Sequence, residues 1–185
     1  MTDSAWFWLI LAVAVFWAVG AYRRLTGLRA QVNRQFAVLE ELLLRYQALV
    51  QEATTGAVTS PGSWQSSIAP ELAASHWTRL QVAANLSAMA LAHMQEHPLE
   101  SSSVTALAAT HRDLQAAWES LIHPDVYYVS VPESLVQSWS ELGIALQPDL
   151  QRFNQAVLAY NEAIALFPAS WMARFLKYRP GRILE

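Results

Sequence analysis

The chain has 185 residues, a formal net charge of −3 and no cysteine. So small a net charge gives no argument for a nucleic-acid partner. The missing thiols exclude a disulfide framework, a cysteine nucleophile and a thiolate metal site. Charge is also unevenly placed: residues 54–167 hold ten acidic side chains against Arg79, Arg112 and Arg152, and the other basic residues follow the first apolar run or lie near the C-terminus.

That apolar run, Ala5 to Tyr22, carries no formal charge. At about 1.5 Å per residue its length suffices to cross the hydrocarbon core of a bilayer, where only a helix satisfies its own backbone. A cleaved signal peptide calls for a basic start and a small-residue cleavage site. Here Asp3 precedes the run and Arg23 and Arg24 follow it, so the expectation is a retained anchor. Trp6, Phe7, Trp8 and Tyr22 suit the two interfaces. The basic flank, Arg23, Arg24, Arg29 and Arg34, puts the N-terminus outside and the rest in the cytoplasm by the positive-inside rule. Ala14 and Ala18 have the spacing that lets two anchors pack, although ordinary alanine content gives the same pattern.

From Arg23 to about Ala53 the pattern is a long amphipathic helix. Leu25, Leu28, Val32, Phe36, Leu39, Leu43, Tyr46 and Val50 recur at steps of three and four, and Val38, Leu42 and Leu49 widen the face. That width favours a helical bundle over an isolated coiled coil. Turn chemistry fills Thr54 to Pro70, with Trp64 expected to pack back onto a helix. A second helix runs from Glu71 to about Glu96, with Ser67 as candidate N-cap and Pro70 in its first turn. Trp77, Leu80, Ala84, Ala88 and Leu91 form its apolar face.

A third helix spans Ser101 to about Ile122, with Val104, Leu107, Leu114, Trp118, Leu121 and Ile122 inward. Val126 to Val131 has strand propensity but no partner strand, so it reads as an extended connection. A fourth helix starts near Glu133, is expected to kink or break near Gln147 before Pro148, and resumes from Asp149 to Phe167. Its stripe is Phe153, Val157, Tyr160, Ile164 and Phe167, and Pro168 stops it.

Two motifs near the ends carry a family resemblance. One is Tyr22 with Leu28-Arg29, Val32, Phe36, Arg45-Tyr46 and Leu49-Val50. The other is Arg152-Phe153-Asn154 through Tyr160-Asn161, then Phe167-Pro168 and Met172-Ala173. In these the chain resembles the LemA family of bacterial membrane proteins, as a diverged member. It departs from the family pattern at Leu43-Leu44, at Leu49-Val50 and at Pro148. The resemblance implies an N-terminal anchor with an outside N-terminus, an antiparallel helical bundle inside, and a structural signature of Phe153, Asn154, Tyr160, Asn161, Phe167 and Pro168. No catalytic residues come with it.

Only one constellation looks catalytic. His93, Glu96 and His97 match the H-x-x-E-H spacing of a class of zinc peptidases, in which two His share a metal and a Glu faces its water. Pro98 disturbs the direction of His97, and no third ligand follows at a recognisable spacing. The plainer reading is a polar helix end. Asn154 and Asn161, seven apart, share one helix face; buried, they would fix register by hydrogen bonds across helices, the favoured reading, and exposed, they would contact a partner.

The expected architecture is all-α: residues 1–4 outside, a single transmembrane helix at 5–22, an antiparallel bundle of about four long helices at 23–168, and a basic, aromatic tail at 169–185. The expected function is a non-enzymatic, membrane-anchored scaffold or adaptor at the inner membrane, binding protein partners and membrane lipid, with self-association as a further partner mode. No cofactor and no nucleic acid are implied. Arg23, Arg24, Arg174, Lys177, Arg179 and Arg182 are the candidate partner or membrane contacts. The alternative is a membrane-bound metal-dependent hydrolase using His93, Glu96 and His97.

Overall fold

The computed structural model describes residues 2–59, 70–123, 125–126, 129–167 and 169–184. Five helices result: α1 (Thr2–Thr59), α2 (Pro70–Glu96), α3 (Ser101–Ile122), α4 (Glu133–Ala165) and α5 (Ala169–Phe175). The fold is all-α, as the periodicity required. Trp64, Ser67, Tyr127, Tyr128 and Pro168 lie outside the described residues.

The apolar run and the first amphipathic helix form one uninterrupted element. Its 58 residues make a rod of about 87 Å. The rod passes the predicted end at Ala53 because the buried stripe continues through Ala57, and Thr54 and Thr59 bond back to the carbonyls of Val50 and Thr55. From Val32 onward its buried residues keep a strict seven-residue repeat: Phe36, Leu43, Val50 and Ala57, with Val32, Leu39, Tyr46 and Ala53. Such a repeat favours a left-handed supercoil of packed helices. Leu42 and Leu49 are half-buried beside this seam, whereas Val38 is exposed. The buried face is therefore narrower than the hydrophobic pattern suggested.

α1 packs along α4, and α2 along α3, with a smaller α1–α2 contact and α5 against both α1 and α4. Pairs along α1 and α4 run in opposite directions: Tyr46 meets Trp139, Phe36 meets Phe153, and Leu25 clusters with Ala163. The two helices are antiparallel. Small buried residues on α2, among them Ala73, Ala83, Ala84, Ser87 and Ala90, let its backbone lie close to α3. By contrast, no Cα of α3 comes within 8 Å of α4. Large side chains span that gap, and the rings of Trp118 and Trp139 stack with centroids 4.3 Å apart.

α4 runs on through Pro148, so of the expected kink or break the break does not occur. Pro148 and Ile144 are both exposed, so the carbonyl that loses its partner reaches water, while α1 holds the other face. Two further residues differ from the predicted core. Ile122 is exposed at the end of α3, and Phe167 is 72% exposed where the bundle meets the apolar part of α1.

After α5 the chain reverses. Tyr178 N–H donates to Ala173 O at 2.8 Å and Lys177 N–H to Arg174 O at 3.3 Å, with Lys177 at φ 55°. This is a Schellman turn with Lys in the left-handed position usually given to Gly. The remaining residues run back along the bundle.

Trp118 is 1% exposed and props α3 from α4. Trp118→Ala is expected to lower bundle stability by about 3–5 kcal/mol, measured by denaturant unfolding of the detergent-solubilised chain.

Candidate functional site: an apolar collar and a tail-filled groove

One helix among the described residues is long and apolar enough to cross a membrane, and its most apolar 18-residue window has a mean hydropathy of 1.6 with no residue buried by the rest of the protein. A core helix of a water-soluble bundle would be covered, so burial within this chain does not explain the run. Where the run meets the bundle, apolar side chains gather without cover. Phe167 lies 5.5 Å from Trp17 and 6.4 Å from Trp171, centroid to centroid. Trp171 is 77% and Phe175 88% exposed, and Leu166 is exposed beside them. Trp17 lies five residues before Tyr22, about 7 Å along the helix, so Phe167 falls within the apolar stretch.

The basic candidates split into two groups. Arg23, Arg24 and Arg174 are exposed at this collar. Arg179 and Arg182 follow the tail away from it, and Arg182 Nη1 donates to Thr105 Oγ1 of α3 at 3.2 Å. Lys177 occupies the turn between the two. Arg29 sits 5.3 Å above the ring of Tyr178.

Asn154 and Asn161 have a use that sequence reasoning did not supply. Each amide pairs with the backbone of one tail residue. Asn161 Nδ2 donates to Gly181 O and its Oδ1 accepts from Gly181 N–H, both at 2.8 Å. Asn154 makes the same pair of bonds with Leu184, at 2.7 and 2.9 Å. Seven helical residues span about 10.5 Å. Three tail residues cover that distance only when nearly fully extended. The tail therefore runs straight, antiparallel to α4, in the gap between α3 and α4.

At Gly181 an added Cβ would stand 2.9 Å from Leu99 Cδ2 and 3.2 Å from Val157 Cγ1. The buried Leu184 side chain borders a cavity of about 160 Å³ lined by residues including Leu39, Leu107, His111, Leu146 and Leu150.

Sequence reasoning also missed the aromatic centre of the bundle. The Tyr46 ring contacts Trp139 at 4.6 Å and His111 at 5.3 Å, between centroids. Among the described residues, Tyr46 OH and His111 Nδ1 are buried without a hydrogen-bond partner, while His111 Nε2 lies 3.2 Å from Gln115 Nε2. Burial lowers the pKa of His111 and raises that of Tyr46. Tyr160 is also raised, mainly by burial, with Arg29 opposing.

His93, Glu96 and His97 do come together, their ligand atoms all within 4.8 Å of one another. All three are exposed. His97 has left the helix but keeps its N–H on His93 O at 3.1 Å. Glu96 and His97 border a cleft of about 400 Å³ whose far wall includes Arg29, Tyr160 and Lys177–Arg179. The geometry admits an ion, but open solvent around the ligands lacks the dry cavity that metal catalysis uses.

No family model, curated protein or solved structure matches the chain.

Two outcomes are expected. The first concerns pH. Neutral His111 is favoured in the fold, whereas the unfolded chain takes up that proton near pH 6.5, on the order of its ordinary value. The associated stability is complete above that pH and lost as pH falls below it. The melting temperature should drop between about pH 7 and 5, and His111→Gln should flatten that slope. The second concerns the tail. Asn154→Ala with Asn161→Ala removes four hydrogen bonds, each worth about 1 kcal/mol net. Trypsin should then cut after Lys177 and Arg182 at least about tenfold faster, read by mass spectrometry, with the helices intact by circular dichroism.

Proposed function

We propose that the chain is a single-pass bacterial inner-membrane protein of the LemA type, with its N-terminus outside and its bundle in the cytoplasm. In this reading it is a non-enzymatic scaffold that holds protein partners at the membrane surface. The observation that carries the proposal is the uncovered apolar length of α1 continuing without a break into the bundle, beside an exposed collar of Phe167, Trp171 and Phe175. Bulky aromatics beside cationic side chains suit a headgroup interface. Arg23, Arg24 and Arg174 supply that charge, and Asp3 lies on the opposite flank. The end motifs, Phe153-Asn154, Tyr160-Asn161 and Phe167, support the family reading.

A second reading rests on the clustering of His93, Glu96 and His97 within 4.8 Å. It is a membrane-bound, metal-dependent hydrolase. Zinc binding by the full-length protein in detergent, lost in His93→Ala and His97→Ala together with a peptidase activity, would establish it in place of the scaffold.

The chain has no native cysteine, so single-cysteine reporters are free of background. In intact cells an impermeant maleimide should label Asp3→Cys, whereas Glu119→Cys should react only after the membrane is opened. Recovery of the full-length chain in the soluble fraction, or the reverse labelling pattern, would overturn the topology. Crosslinking in native membranes should then capture protein partners reproducibly.

A further inference from the structure

We propose that the groove between α3 and α4 is a binding site for extended peptide, and that the chain's own segment Arg179–Leu184 is its resident, displaceable ligand. The partner it fits is a protein segment that lies straight and carries Gly followed three residues later by Leu. The proposal deepens the scaffold reading by naming the chemistry of a partner, and its biological use rests on that reading. The binding itself does not.

Four observations carry it. First, the groove is a real gap. The backbones of α3 and α4 stay more than 8 Å apart, and the Trp118–Trp139 stack holds them there. Second, Asn154 and Asn161 bond only backbone atoms, so any straight chain of the right polarity satisfies them. Their spacing of about 10.5 Å selects extension and excludes helix.

Third, selection of side chains is local. Leu99 and Val157 crowd the position of a Cβ on Gly181, so larger residues must push them aside. Two residues beyond the Thr105 contact of Arg182, an apolar site receives Leu184. That site is not used up, because a cavity of about 160 Å³ continues past Leu184. Fourth, the resident segment is joined to the helices through Lys177, whose positive φ is costly for a residue with a Cβ. The turn at Lys177 is closed by bonds to α5 alone, so it stays formed whether or not the segment after it occupies the groove.

The test uses full-length protein in detergent micelles. Its probe is a fluorescent synthetic peptide with the sequence of residues 178–185. A chain carrying both Gly181→Val and Leu184→Asp has a tail that no longer fits its groove. The peptide should bind that chain at least about tenfold more tightly than it binds the wild-type, whose tail competes. Adding Asn154→Ala and Asn161→Ala should abolish binding, and a peptide carrying Gly181→Val should not bind. A second measurement needs no variant: excess peptide should speed hydrogen exchange at the Gly181 and Leu184 amides of the wild-type chain and leave the α4 core unchanged. Absence of binding to the folded variant together with unchanged exchange overturns the proposal. So does equal binding of the Gly181→Val peptide. Failure of the membrane topology leaves these readouts unaltered, so the two ideas fail separately.

Discussion

An unbroken run of backbone hydrogen bonds through Tyr22, Arg23 and Arg24 is the constraint from which the rest of the arrangement follows. A hinge there would leave the bundle free to tumble relative to the apolar segment. A continuous helix instead makes the bundle a rigid extension of whatever the apolar segment is embedded in. The antiparallel pairing of α4 with α1 then brings the end of α4 back to the apolar segment, and α5 docks on Leu25 and Ala163 at the same level. This explains the exposed Phe167. In a water-soluble bundle its place on the stripe would demand burial. At the junction with an apolar rod, the surface it meets is Trp17.

Unequal pairing of the helices is the second organising fact. Alanine and serine on the inner face of α2 allow close backbone approach to α3. Tryptophans between α3 and α4 forbid it, because a stacked pair needs more room than an interhelical contact of small residues. Four helices with one wide seam leave an opening along their length, and an extended segment is thin enough to fill it. The amides of Asn154 and Asn161 satisfy tail N–H and C=O groups that would otherwise be buried without partners.

The elements with strong periodicity were legible in the sequence. The seam of α1 and the apolar stripes of α2 and α3 follow from which residues recur at three and four, and the helix over Ala5 to Tyr22 from its unbroken apolar run. What escaped was whatever depends on a second element. Val38 has the same hydropathy as its buried neighbours, and only the position of α4 decides that it faces water. Pro148 was read by its local cost, yet that cost falls on the solvent side and the packed face persists. His93, Glu96 and His97 were correctly seen as neighbours, because helical spacing alone fixes their proximity. Their exposure was not readable from spacing.

The two asparagines mark where such reasoning stops. A separation of seven says that they share a face, and polar residues on a half-buried face need partners. The partners lie 20 and 30 residues away in a stretch with no helical period, rich in Arg and carrying both Pro180 and Gly181. Composition alone assigns such a stretch to solvent or to a lipid surface. One clue pointed elsewhere: Gly181 and Leu184 are three apart, and three extended residues match two turns of helix in length. A helix offering amides every second turn is commensurate with a straight chain, so Asn at that spacing reads backbone where aliphatic residues at the same spacing would read another helix. Tail and collar are then two outputs of one turn at Lys177: the chain before it stays with the apolar part of α1, and the chain after it closes the bundle.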